Sequence, residues 1–158
     1  LKVYIASNFA DKDRVKARGE ELAAIGIKCT SRWALETAPH NCKITDVTSD
    51  YIRETAVYDI EDILASDVVV LTVPTPEQLM NLTPHQMSRG GRTFESGLQY
   101  GLMLSGGHST RRMLIVMGPK ENVFHFLDGT DEAKYYPVVL NLQTWEEVKS
   151  YLASQLTK

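Results

Sequence analysis

Two textures alternate along the chain. Short continuous apolar runs occur at Leu1 to Ala6, Ile27 to Thr30, Asp67 to Val73, Met113 to Met117 and Pro137 to Leu140. Runs of this length, bounded by polar, glycine or proline residues, predict β-strands. Between them, apolar residues recur every three or four positions, the period of a helix with one buried face. Asp11 to Ile25 carries Val15, Leu22, Ala23 and Ile25 at that spacing, and Gly26 ends it as a C-terminal glycine. A second helix, capped by Ser49 or Asp50, runs to about Ala65 with a stripe of Ile52, Ala56, Ile60 and Ile63. A third begins after Gly90-Gly91, with Phe94, Leu98, Gly101, Leu102 and Ser105 on one face. A fourth, capped by Thr144, shows Trp145, Val148, Leu152 and Leu156. The run Asp67 to Val73 suits a central strand covered on both faces. This alternation predicts a single three-layer α/β domain over residues 1–158, with a flavodoxin- or Rossmann-like, five-stranded, mainly parallel sheet and flanking helices.

Several residues do not fit a purely structural pattern. Asp59 falls in the middle of the second helix's apolar stripe. A charge there is expensive unless it is paired or faces a cavity. It reads either as an acid at the edge of the core, satisfied by a backbone N–H or an arginine, or as an acid lining a pocket. Glu95 is expected in the first turn of the third helix, where free N–H groups and the helix dipole favour a carboxylate held ionised. Gly97 and Gly101 share one face of that helix and cost about 2 kcal/mol relative to alanine. Something is expected to approach them closely, either a strand or a second subunit. The loop from Pro74 to Arg92 leads from the end of the central strand to Glu95. Loops of that length usually carry function or disorder, and ligands of open parallel sheets sit at that end of the strands. His85 reads as solvent-exposed. Arg89 and Arg92 can bind phosphate or pair with a surface acid. Ser31 to Thr45 lacks periodicity and is expected to be a loop near a site or interface.

Composition narrows the partners. The chain is 43% hydrophobic and 23% charged, ordinary values for a soluble globule. A domain of this size removes about 70% of its unfolded surface on folding, enough for a real core. A net charge of −3 argues against a protein that coats a nucleic-acid polymer. Cys29 and Cys42 form neither a CxxC nor a Cys/His metal spacing. Reduced thiols in a cytoplasmic protein without metal or cofactor are expected. No apolar run approaches the roughly 20 residues of a membrane span. The chain opens directly on Leu1-Lys2-Val3-Tyr4-Ile5, so no signal peptide and no membrane partner are expected.

Taken in order, three pieces of sequence carry a resemblance. They are Val3-Tyr4-Ile5-Ala6 followed by Ser7-Asn8-Phe9, then Asp59 with Asp67-Val68-Val69-Val70 eight residues on, then Gly90-Gly91-Arg92-Thr93-Phe94-Glu95-Ser96-Gly97. The set resembles the nucleoside 2-deoxyribosyltransferase-like family, which includes deoxyribosyltransferases and nucleoside 5'-monophosphate N-glycosidases. The resemblance covers Lys2 to about Leu127. It implies that Glu95 is a nucleophile attacking the anomeric carbon, that Asp59 is the second acid, and that Tyr4 orients the nucleophile. It further implies substrate contacts from Ser7, Asn8, Phe9, Arg89, Gly90, Gly91 and Arg92. Asn122 and His125 lie in the segment through which family members complete a neighbouring subunit's site, which implies a homodimer or a higher homo-oligomer.

The implied chemistry is coherent. Cleavage of an N-glycosidic bond passes through an oxocarbenium-like state that carboxylates stabilise, and a carboxylate nucleophile can hold the sugar covalently. One feature departs from the transferases, which carry an aspartate six residues before the nucleophile. Arg89 stands there in this chain. A cation beside the sugar favours a 5'-phosphate, so the expected substrate is a small nucleotide cleaved at its N-glycosidic bond. Alternatives are a base-exchanging deoxyribosyltransferase, a non-catalytic nucleotide-binding module and an NAD glycohydrolase.

Overall fold

The computed structural model describes residues 1–36, 48–81, 91–106, 112–121, 123–126 and 139–156. Five strands, β1 (Lys2–Ala6), β2 (Lys28–Cys29), β3 (Val68–Thr72), β4 (Met113–Met117) and β5 (Val139–Leu142), form one sheet in the order β2-β1-β3-β4-β5. Every pairing is parallel. This is the flavodoxin-like order expected from the alternating pattern. All five residues of β3 are buried, as a central strand covered on both faces requires. The last strand is Val139–Leu142, two residues later than the apolar run suggested. Val139 is fully buried opposite Leu114.

The order of strands dictates where the helices go. The chain steps from β1 to β2 in one direction and then crosses back over β1 to reach β3. Right-handed crossovers therefore put α1 (Lys12–Ala24) on one face and α2 (Ser49–Ala65) and α4 (Gly91–Gly106) on the other. The C-terminal helix α5 (Trp145–Gln155) joins α1. The Lys149 ammonium and the Trp145 indole N–H both reach Glu21, at 2.8 and 2.9 Å, and the Arg18 guanidinium stacks 4.8 Å above the Trp145 ring. Val15, Leu22, Ile63, Val148 and Leu152 are buried against the sheet.

Local chemistry sets the ends. Gly26 takes φ +82°, where a side chain would be strained, and closes α1 as predicted. Thr48, one position before the expected cap, accepts from the Tyr51 N–H and starts α2. At the other end of α2, the Arg112 guanidinium donates to the carbonyls of Ile63, Leu64 and Ser66. A short helix, α3 (Pro76–Met80), lies inside the stretch expected to be loop. Thr75 and Gln78 cap it reciprocally, and Pro76 fills its first position. The loop reading of Ser31 onward is likewise corrected, by a 3₁₀ turn at Arg32–Leu35. The final helix buries Val148 and Leu152, whereas Leu156 stays exposed.

Candidate active site

The site is built from one strand and two helices. Side chains alternate along β1 and β3, and the register sets Tyr4 beside Val69. Tyr4 therefore points to the α2/α4 face, where its side chain is completely buried. Its hydroxyl lies 2.7 Å from Glu95 Oε1 and 3.3 Å from Asp59 Oδ1. Residues separated by 55 and 91 positions in sequence thus meet at one phenolic oxygen. A phenol has one hydrogen and can donate to one carboxylate at a time. The shorter contact makes Glu95 the acceptor. The Asp59 contact becomes a second hydrogen bond when Asp59 carries a proton and donates it to the tyrosine oxygen.

The electrostatics agree with that arrangement. Burial pushes the Asp59 carboxyl up to about 7, the Glu95 charge adds to the push, and the Tyr4 hydrogen bond opposes it. Burial also raises Glu95, but both Tyr4 and the Arg92 guanidinium hold it down. Tyr4 is raised well above its ordinary range by burial and by the two carboxylates. At neutral pH Asp59 is close to half-protonated and Tyr4 is a phenol.

Two expectations about these helices are corrected. Glu95 sits in the second turn of α4, which has no acid in its first turn. Burial, rather than the helix terminus, dominates its ionisation and raises it. The buried face of α4 is Arg92, Ser96, Gln99 and Met103, and Phe94 is 59% exposed. The helix turns polar groups inward because it crosses strand ends that present carbonyls. Gln99 Nε2 donates to Met113 O at 2.9 Å, and Arg92 Nη1 donates to Thr72 O at 2.8 Å. On α2 the inward side is Thr55, Asp59, Asp62 and Ile63, and Ala56 and Ile60 face outward. Asp59 thus lies on a mixed inner face rather than interrupting an apolar one. Asp62, which sequence reasoning passed over, is an anchor. It takes both the backbone N–H and the Nε of Arg32, at 2.9 and 2.7 Å.

The other expected contact residues are distributed around this trio. Arg92 is buried and reaches Glu121 at 3.5 Å, and its Nε meets no acceptor among the described residues. Gly91 opens α4. Ser7 donates to Asp11 at 2.9 Å, and the Phe9 ring packs 6.3 Å from that of Trp33. Asn8 lines a cleft between α1 and α5 and is not among the groups gathered at Tyr4. His125 is buried, accepts from the Glu121 N–H, and lines a groove along α4 with Thr93, Ser96, Gly97, Tyr100 and Gly101. Arg89, Gly90, Asn122 and His85 lie outside the described residues. Among the described residues, nothing lies within 4 Å of where a Cβ on Gly97 or Gly101 would sit. No described strand of this chain makes the close approach expected there. Among the described residues no cluster of three His, Cys, Asp or Glu side chains is placed to hold a metal ion, and no helix is long and apolar enough to cross a membrane.

No family model matches the chain, and comparison with curated proteins gives no match. Among solved structures, a 2-deoxyribosyltransferase of Bacillus psychrosaccharolyticus superposes with a TM-score of 0.56 at 14% identity, over 96% of this chain and 92% of that one. A CMP N-glycosidase of Clostridium botulinum, BcmB, gives 0.49 at 12% identity, over 99% and 98% of the two chains. At this identity the first likeness establishes the fold, a parallel sheet with helices on both faces.

Proposed function

We propose that the protein cleaves the N-glycosidic bond of a (deoxy)nucleoside 5'-monophosphate through a covalent glycosyl-enzyme. The observation that supports this most is the Tyr4 phenol holding one carboxyl from each of two helices, at 2.7 and 3.3 Å. The nearest oxygens of the two acids are therefore within about 6 Å of each other, close enough for both carboxyls to flank one glycosidic bond. That closeness fits a nucleophile and an acid working in two steps with retained configuration.

In the first step the Glu95 carboxylate attacks the anomeric carbon. The bond to the base breaks, and its electron pair leaves with the base, which takes a proton from Asp59. In the second step Asp59 accepts a proton from water. The resulting hydroxide displaces Glu95 from the sugar and restores both acids. Tyr4 donates to Glu95 before attack and fixes which oxygen faces the sugar. Ser7, Phe9 and Gly91 are assigned to the sugar side. Arg89, Gly90 and Arg92 are assigned to the 5'-phosphate, for which the unmatched Arg92 Nε–H is a suitable donor.

A homodimer belongs to the same reading. The outward side of α4 carries Phe94, Gly97, Gly101 and Leu104, and that of α2 carries Val57, Ile60 and Leu64. A second copy packed there would supply the close approach that the glycines permit, and Asn122 and His125 would reach the partner's site.

Incubation with a panel of nucleoside 5'-monophosphates, with free base followed by chromatography, tests the proposal. Release of base that disappears in Glu95→Gln is expected. Release that survives Glu95→Ala rejects Glu95 as nucleophile. Base exchange without net hydrolysis would mark a deoxyribosyltransferase, and nicotinamide release from NAD alone a glycohydrolase. Thermal stabilisation by nucleotides with no product would mark a binding module.

A further inference from the structure

On the face of the sheet away from the acid trio there is a second polar cleft. It has a volume of about 450 Å³ and opens at the C-terminal ends of β1, β3 and β4, between α1 and α5. Its position follows from the topology. The crossovers from β1 and to β3 leave in opposite directions, and the ends of such neighbouring strands bracket a crevice. Gly118, at φ +110°, lets the chain after β4 pass so close to β3 that a Cβ there would lie 2.5 Å from the Val73 carbonyl oxygen. The floor is thereby kept open to backbone.

Two cations of α1 enter this cleft. Arg14 pairs with Asp11 at 3.2 Å, and Asp11 also accepts from Ser7, so that positive charge is cancelled locally. Arg18 is different. Its guanidinium stacks on Trp145, and its hydrogen bond among the described residues is a long one, 3.5 Å to Thr72 Oγ1. Glu21, the acceptor of the Trp145 indole N–H, also takes the Lys149 ammonium. A guanidinium beside a ring still presents a planar fork of N–H groups, the geometry that oxyanions accept bidentately. Beside it is Asn8, 3% exposed, whose side-chain oxygen meets no donor among the described residues. Gln78, Asn81 and Gln143 complete a wall of amides, groups that both donate and accept.

We propose that this cleft is a second ligand site, separate from the acid trio, that binds a small phosphorylated sugar with its phosphate on Arg18 and its hydroxyls on the amide wall. Burial and the neighbouring Arg14 charge act against the Arg18 cation, Asp11 and Glu21 act for it, and burial prevails, so an incoming anion would add to those two carboxylates in favouring the charged form. The proposal does not depend on the glycosidase reading.

Ribose 5-phosphate is the probe, titrated into 15N-labelled full-length protein. The chain has two indole N–H signals, from Trp33 and Trp145, and Trp145→Phe assigns them. Saturable movement of the Trp145 signal is expected, with Trp33 unmoved. Ribose should bind at least tenfold more weakly, and gluconate, a carboxylate, tests phosphate against carboxylate. Arg18→Gln should weaken ribose 5-phosphate at least tenfold, Arg18→Lys should recover part of that, and Glu95→Gln should leave it within twofold. Circular dichroism of each variant verifies the fold. Binding lost in folded Glu95→Gln but kept in folded Arg18→Gln would place the ligand at the acid trio and overturn the proposal. So would ribose or gluconate binding as tightly as the phosphate, or an unmoved Trp145 signal.

Discussion

Asp59→Asn isolates the cost of keeping a carboxyl beside a phenol and a second carboxyl inside the fold. Burial and the Glu95 charge raise Asp59 from 3.8 to about 7. The folded protein therefore holds that proton more tightly than the unfolded chain does. The sign follows from linkage. Below pH 4 both states are protonated and nothing is lost. As pH rises from there through about 7, the unfolded state ionises freely while the folded state resists, so stability falls, and above that range the loss is complete. At 1.36 kcal/mol per tenfold, the full gap corresponds to about 4 kcal/mol. Asp59 is only partly buried, so water relieves some of this, and about 2–4 kcal/mol is expected. Asparagine keeps the size and, like the protonated carboxyl, can donate to the Tyr4 oxygen, but it cannot ionise. Urea unfolding of both proteins at pH 3.5 and pH 8.5 should show near-equal stability at the lower pH and the variant more stable by that amount at the higher. Comparing the two proteins cancels other titrating groups, such as His125, which burial lowers. A difference that is the same at both pH values, or one that shrinks as pH rises, would refute the reasoning about the buried pair.

The remaining expectations concern catalysis, assembly and the helix ends. Asp59→Asn should slow base release by about 10²–10³-fold, the usual scale for one acid–base group, and should flatten the loss of activity expected as pH rises through about 7. Tyr4→Phe removes a hydrogen bond that lowers Glu95, so the acid limb of the pH–rate profile should move to higher pH, with a fall of about 10–100-fold in kcat. Gly101→Phe should leave the monomer folded, since nothing described lies within 4 Å of the site, but should convert a dimer to monomer by light scattering. Arg112→Ala strips three carbonyls at the end of α2 of their donors and should cost about 2 kcal/mol in denaturant unfolding.

The fold was legible because its signals are local. Continuous apolar runs mark β3 and β4, and Gly26 and Thr144 mark helix ends through chemistry that acts within one turn. What failed was helix phase. Phe94 and Ile60 were expected inward because apolar residues normally are, yet they are 59% and 38% exposed, and Arg92, Gln99 and Asp62 are turned in. Each of those inward polar groups has a specific reason at a distance. Arg92 and Gln99 meet strand-end carbonyls, and Asp62 meets Arg32. Partners 14 to 30 residues away leave no trace in a window of one helix. α3 was hidden in a different way. It is five residues long, too short to show a period, and only the Thr75–Gln78 capping pair could have revealed it.

The same distinction explains what could be said of the acids. Asp59 stands out through a pattern that the structure revises, since two of the four residues of the stripe it interrupts, Ala56 and Ile60, face outward. It is nevertheless unusual for a physical reason the pattern could not supply. Its neighbours across the sheet are a fully buried phenol and a second carboxyl, and two carboxylates sharing one donor cannot both ionise cheaply. Position in a helix predicts a Glu95 held ionised through its terminus; in the structure burial raises it instead, with Tyr4 and Arg92 opposing that shift. Whether Glu95 can act as a nucleophile therefore rests on the phenol and the guanidinium. Removing either should shift its ionisation upward.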